Sequence, residues 1–271
     1  MIVTADDFGL SIAVNEAIER AHREGILTAT SLMVSADGTD DAIARAHRLP
    51  SLGVGLHVVV VNGRPVLPPE EVPDLVYPGG AFGSDLLAAG LRYFFNPNAR
   101  RQLEAEIRAQ FEAFAKTGLP LDHVNAQNHM HVHPTVFSTI LRVGRDFGMT
   151  AVRIPYEPFW PSWRSAHRDL GVRLGNAVLL APWLTLMRQQ LRRAGLMHND
   201  AVFGLNDTGH MSAERVRALL DELPGGVTEM YFHPDLGNVE LAALCDPAVI
   251  AAVRQPEIAS INFGMLSAGV A

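Results

Sequence analysis

Apolar positions along the chain switch repeatedly between short continuous runs and stripes spaced three and four apart. Ile2-Val3-Thr4 reads as a short buried strand. Ser11 can cap a helix with Val14, Ala17, Ile18 and Ala21 on one face, and Gly25 stops it. Residues 28–34 are β-rich, residues 41–48 helical, and residues 54–61 form a second strong strand around His57. Residues 62–84 are rich in Pro and Gly and read as loop. Asn96-Pro97 opens a long helix that presents Leu103, Ile107, Phe111 and Phe114, ended by Gly118. Residues 121–126 read as strand, 134–147 as helix and 151–154 as strand. A strand over 202–205, a helix capped by Ser212, a strand over 227–232, a helix over 247–254 and a last strand over 258–263 complete the series.

Strands alternating with helices at this spacing predict an α/β fold, with a parallel sheet and right-handed crossovers. About seven strands suggest an irregular (β/α) barrel, closed or nearly so, with an open doubly wound sheet as the alternative. There is no repeat or linker, so residues 1–271 read as a single domain. One segment interrupts the alternation, an amphipathic insert over about 156–200.

Composition narrows the chemistry. The hydrophobic share is 48% and the charged share 19%, which excludes disorder as the main theme. A net charge of −7 is the wrong sign for a general nucleic-acid binder. The single cysteine, Cys245, excludes an intramolecular disulfide and cysteine-ligated zinc or iron–sulfur sites. The one lysine, Lys116, lies in an ordinary helical pattern, which argues against Schiff-base chemistry. Met1 runs into Asp6-Asp7 without a basic or long apolar lead, so no signal peptide is expected. The longest uncharged apolar stretch, residues 174–187, is broken by Pro182 and falls short of the roughly 20 residues a spanning helix needs. The expected location is cytoplasmic, at most peripheral on the inner membrane surface.

Parallel β/α folds carry function at the carboxyl ends of strands. Four such ends are rich in titratable groups: Asp6-Asp7, His57, the run Gln127-Asn128-His129-Met130-His131-Val132-His133, and His233 before Pro234. If the run is extended, its three histidines share one face. Two acids and several imidazoles on one rim have the composition of a divalent-metal hydrolase site: side chains hold the ion and a second carboxylate takes a proton. Asp6-Asp7 alone would equally suit a helix cap, and His57 alone a buried structural imidazole.

Thr4-Ala5-Asp6-Asp7-Phe8-Gly9-Leu10-Ser11, Gly55-Leu56-His57, the His-x-His-x-His-Pro run and His233-Pro234 together resemble the YdjC-like carbohydrate deacetylases, the ChbG/HpnK group. The order and spacing match over nearly the whole chain. Residues 122–126, 153–158 and 206–211 are most similar to the hopanoid-biosynthesis branch, HpnK. The resemblance implies an irregular β/α barrel and metal-dependent removal of acetyl from an N-acetylated sugar, with an N-acetylglucosaminyl hopanoid as the expected substrate. A soluble chito-oligosaccharide and a non-catalytic sugar- or lipid-binding barrel are the alternatives. By position, Asp7 and His57 match metal ligands, Asp6 the catalytic base and His233 the acid. The family's histidine run begins where this chain has Gln127, a poor zinc ligand. His129 is therefore expected as the third ligand, with Gln127 or His131 as alternatives. Asn125, Arg153 and Trp183 are placed as substrate contacts. Zinc is the first candidate ion, and magnesium, manganese, cobalt or nickel also suit such a set.

Residues 164–193 hold six arginines and one acid, Asp169, and all three tryptophans lie in or beside them. That pattern suits either a cap over the barrel mouth or a face resting on an anionic membrane. Homodimerisation is left open.

Overall fold

The computed structural model describes residues 1–267 and 269. Six strands form one parallel sheet: β1 (Ile2–Phe8), β2 (Ala29–Leu32), β3 (Gly53–Val58), β4 (Val124–Ala126), β5 (Ala201–Phe203) and β6 (Thr228–Phe232), in the order β4-β3-β2-β1-β6-β5. The sheet curls into a half-barrel walled by helices. Helices α1 (Ile12–Glu24), α2 (Thr39–Ala46), α3 (Leu86–Phe95), α4 (Pro97–Lys116) and α5 (Pro134–Asp146) serve the first half. The second half carries α6 (Phe159–Ala166), α7 (Leu170–Arg193), α8 (Ala213–Leu220), α9 (Val239–Leu244), α10 (Pro247–Val253) and α11 (Phe263–Ser267). Every residue of β2 to β6 is buried, as expected for strands covered on both faces.

The helices begin where the sequence places their caps. Ser11 Oγ accepts from Val14 N, Asn96 Oδ1 from Asn98 N and Ala99 N, and Ser212 Oγ from Arg215 N. Each bond satisfies an amide the first helical turn leaves unpaired. On α4, Leu103, Ile107, Phe111 and Phe114 are buried as the stripe requires.

Three expectations change. Residues 151–154 are not a ladder strand. They join the sheet through single bridges, Val124 to Val152 and Ala151 to Met197. The Asn199 side chain then accepts from Ile154 N and donates to the carbonyls of Ile154 and Ala201, taking a neighbouring strand's place. Residues 258–262 are irregular and lead into α11, so six strands replace seven. Finally, α3 forms in a stretch the periodicity assigns to no element. Leu86, Leu87, Leu91, Phe94 and Phe95 are exposed there while Ala89 and Tyr93 are buried, so the helix turns its large apolar stripe outward.

The insert becomes α6 and α7, and its charge is largely spent within the fold. Arg173 is fully buried, and with Arg168 and Arg215 it donates to Asp207. Glu157 accepts from Ser162 and from Arg173. Arg188 donates to Asp200 O at 2.7 Å and lies over the Tyr156 ring. Arg192 and Arg193 have no carboxylate within ion-pair distance among the described residues. By length and composition α7 could cross a membrane. Leu184, Met187 and Leu191 instead pack into the core and Arg173 fastens its first turn, so α7 lies on the barrel.

Below the sheet's amino ends, Asp122 accepts from the amides of Phe263 and Gly264, and the His123 ring packs at 4.6 Å on Phe263. Gly55 lets that ring approach, since a Cβ there would lie 2.6 Å from it. Gly55→Ala should therefore destabilise the fold by about 1–3 kcal/mol through overpacking. Urea unfolding checks this: the midpoint should fall with little change in slope.

Candidate active site

In a regular strand, consecutive side chains face opposite ways. Asp6 and Asp7 nevertheless line the same cavity, of about 200 Å³, at the carboxyl end of β1. The register of β1 against β2 shifts between Ala5 and Phe8, and Asp7 takes a left-handed conformation with φ 66°. Aspartate tolerates that region better than most residues. The irregularity turns Asp7 to the rim while Asp6 stays beneath it, 2% exposed.

Asp6 is held from four directions. Oδ1 accepts from Ser31 Oγ at 2.5 Å, Asn125 Nδ2 at 3.0 Å and Arg153 Nη2 at 3.0 Å, and Oδ2 accepts from Arg153 Nη1 at 2.5 Å. Burial alone would raise its pKa, but the Arg153 charge, aided by His57 and His233, holds it well below the usual carboxylate range. Arg153 also donates to Glu229 Oε1 at 2.9 and 2.6 Å. It is fully buried between these two carboxylates and stays charged.

His57 and Asn125 are register partners on β3 and β4. The His57 Nδ1–H donates to Asn125 Oδ1 at 2.6 Å, because the Asn125 amide nitrogen is already committed to Asp6 and Ser31. That bond fixes the tautomer and leaves His57 Nε2 facing Asp7 Oδ1 at 3.3 Å. Burial disfavours the imidazolium, but the bond to Asp7 and the charge of Asp6 outweigh it and raise the pKa.

The histidine run is not extended. Residues Gln127–Val132 wind into a 3-10 turn, with Asn128 and His129 in left-handed conformations. The His129 and His131 rings stay edge-on at 5.8 Å, and the His133 ring turns away from them. His129 lines the cavity, and its Nε2 lies 3.1 Å from the Tyr231 hydroxyl. Burial and the nearby Arg153 push its pKa down to about 3, so the ring is neutral. His131 is fully buried beneath it with both ring nitrogens unpartnered. His133 packs edge-on against Tyr93 and Phe94 of α3.

Among the described residues, no three His, Cys, Asp or Glu side chains converge to hold an ion. The expected trio of Asp7, His57 and His129 is thus not assembled, because the left-handed turn aims His129 at Tyr231. The Gln127 amide oxygen lines the same cavity, buried and without a partner. A carboxylate, an imidazole and this unpartnered amide oxygen on one cavity have the donor chemistry that a divalent ion takes.

A family model described as YdjC-like protein matches residues 1–255. The chain belongs to that family. A Brevibacillus brevis relative named carbohydrate deacetylase is 37% identical over 171 residues, 62% of this chain and 63% of the relative. A Proteus mirabilis relative named chitooligosaccharide deacetylase is 34% identical over 146 residues, 52% of this chain and 53% of the relative. The chain thus spans less than two thirds of the length of either. A solved structure from Enterococcus faecalis V583 superposes with a TM-score of 0.75 at 22% identity, covering 98% of this chain and 97% of that one, and so shares the fold.

In this YdjC-like chain Asn125 and Arg153 reach Asp6 rather than lining the cavity, and they position the site from behind. Trp183 is not at the cavity either. Its indole donates to Val132 O at 2.7 Å and its ring packs edge-on against Phe137. His233 lines the cavity with a buried, unpartnered Nδ1. Sequence reasoning gave no role to Ser31, Glu229, Thr208 or Tyr231. The Tyr231 hydroxyl sits between His129 and Thr208 Oγ1, 3.0 Å from the latter. A charged Glu229 in a buried strand was the available signal, since such a group needs a partner.

Replacing Arg153 by Met removes the cation from between two buried carboxylates. Arg153→Met should cost about 3–5 kcal/mol of stability. Thermal unfolding of the variant beside the parent measures it, and an unchanged midpoint would refute the account.

Proposed function

We propose that this chain is a divalent-metal-dependent N-deacetylase of an N-acetylated amino sugar, with Asp7, His57 and Gln127 holding the ion. The observation carrying this reading is the His57 tautomer: Asn125 takes the Nδ1 proton, and Nε2 is left facing Asp7 across 3.3 Å at a cavity wall. The names of the relatives support the reaction class. One carboxylate, one imidazole and one amide oxygen favour oxygen-preferring ions such as magnesium or manganese more than a zinc set does.

Asp7, His57 and Gln127 would hold the ion, and the chemistry it would supply is polarisation of the amide carbonyl and acidification of water. Asp6, ionised at neutral pH, receives the water's proton. Its four hydrogen bonds, from Ser31, Asn125 and Arg153, hold it ionised and weaken it as a base. His233 stands on the same cavity and delivers a proton to the departing amine. Tyr231, fixed by Thr208, offers a hydroxyl to the substrate's polar groups. Ser31, Asn125 and Arg153 keep Asp6 in place.

The substrate reading is an N-acetylglucosamine-type sugar carried on a lipid, with a hopanoid glycolipid drawn from the sequence resemblance. A soluble chito-oligosaccharide is the second reading, favoured by the name of the Proteus mirabilis relative. Acetate release from a glucosaminyl lipid and from N-acetylated chitobiose, compared in one assay, separates them.

Asn125→Ala should weaken ion binding about 10–100-fold by freeing the His57 ring. Isothermal titration with magnesium, manganese and zinc checks it, and unaltered affinity would remove Asn125 from the support of the site. His233→Gln should lower turnover roughly 10²–10⁴-fold while leaving the ion content unchanged. Acetate release and elemental analysis on the same sample read both, and full turnover would mean that another group supplies the proton.

A further inference from the structure

The far end of the turn that lines the cavity is touched by two exposed apolar helices. Gln127, Asn128 and His129 face the cavity. A few residues on, Val132 O accepts from Trp183 of α7, and the His133 ring packs against Phe94 of α3. The helices therefore flank the same stretch of chain from its two sides, next to the cavity mouth.

Both helices leave large apolar side chains in solvent. On α3, Leu87 is 73% exposed and Phe95 67%. On α7, Leu179 is 80% exposed and Val178 59%, and Leu170, Val172, Leu174 and Leu186 are exposed too. Exposed apolar area on this scale marks a contact surface. Its charge points to the kind of contact. Neither α3 nor α7 contains an acidic residue, in a chain of net charge −7. Arg100 and Arg101 are exposed in the first turns of α4, directly after α3, and Arg192 and Arg193 close α7. Apolar faces with arginines beyond their ends, and acids only at the N-caps Asp85 and Asp169, complement an anionic lipid surface.

We infer that α3 and α7 together dock this chain on an anionic lipid bilayer, with the cavity mouth held beside the headgroups. The inference rests on the lipid-borne substrate reading above and extends it to a surface made of two helices. α3 supplies part of it through Leu87, Leu91, Phe94 and Phe95, an apolar stripe at helical spacing that it turns outward. The arginines of the insert contribute less than their number suggests, because Arg168, Arg173 and Arg188 are engaged within the fold. Apolar insertion therefore carries most of the binding.

The test uses the full chain with vesicles of phosphatidylcholine alone and with three parts in ten phosphatidylglycerol. Co-sedimentation should show binding to the anionic vesicles, with most of it retained at high salt. Leu179→Asp on α7 and, separately, Phe95→Asp on α3 should each lower the bound fraction about tenfold. Both sites are exposed, so unfolding midpoints should not move. Turnover of N-acetylated chitobiose should be unchanged in both variants. Absence of vesicle binding by the parent overturns the inference, as does equal binding by the parent and the α3 variant. A dimer in light scattering that either substitution dissociates would assign the face to a second copy of the chain and also overturns it. Absence of acetate release by the parent from both the glucosaminyl lipid and N-acetylated chitobiose, with intact vesicle binding, would instead overturn the deacetylase reading and leave the docking surface standing.

Discussion

The site depends on one buried cation. Arg153 lies between Asp6 and Glu229, from neighbouring strands; Arg153 and Glu229 are sealed from solvent and Asp6 meets it only at the cavity. Each carboxylate would be costly alone in that interior. Together they make the guanidinium favourable, and its planar fork fixes their orientation. From Asp6 the constraint passes through Asn125 to His57, and from His57 to the space before Asp7. A rim of polar side chains thus becomes a set with definite directions. Glu229 Oε2 is left without a partner, which sharpens the dependence on Arg153.

Much of this was legible in the sequence, and the boundary is physical. Strand ends are visible because buried parallel strands are continuous apolar runs, so Asp6, Asp7, His57 and His233 could be placed on one rim. Helix starts were visible because Ser11, Asn96 and Ser212 cap them. The histidine run was misread because an alternating pattern implies a shared face only in extended chain. The left-handed residues Asn128 and His129 break that premise without a glycine to announce it. Helix α3 went unassigned although Leu87, Leu91, Phe94 and Phe95 recur at helical spacing; that stripe faces solvent, and only Ala89 and Tyr93 are buried. The partners of the insert's arginines were invisible because Asp207 lies far along the chain from Arg173.

The insert is fastened chiefly by charge at one end and by apolar packing at the other. Asp207 gathers Arg168, Arg173 and Arg215, and the arginines draw its pKa down to about 2 against the burial that would raise it. Leu184, Met187 and Leu191 pack the far half of α7 into the core. An apolar helix is thereby kept on the barrel while its outer face remains exposed.

The barrel's closure has a consequence for its stiffness. Between β4 and β5 the wall is completed by isolated bridges, a Val202 N to Tyr156 O bond and the amide of Asn199, whereas β2 joins β3 by a continuous ladder and β1 joins β2 by one that shifts register only past Ala5. A ladder shares strain over many bonds, but a side chain can pivot about its own torsions. The floor under Asp6 and His57 is accordingly rigid, and the compliant wall is where the chain leaves for the insert and returns. A cavity built this way can change its width on one side while its reactive floor keeps its geometry.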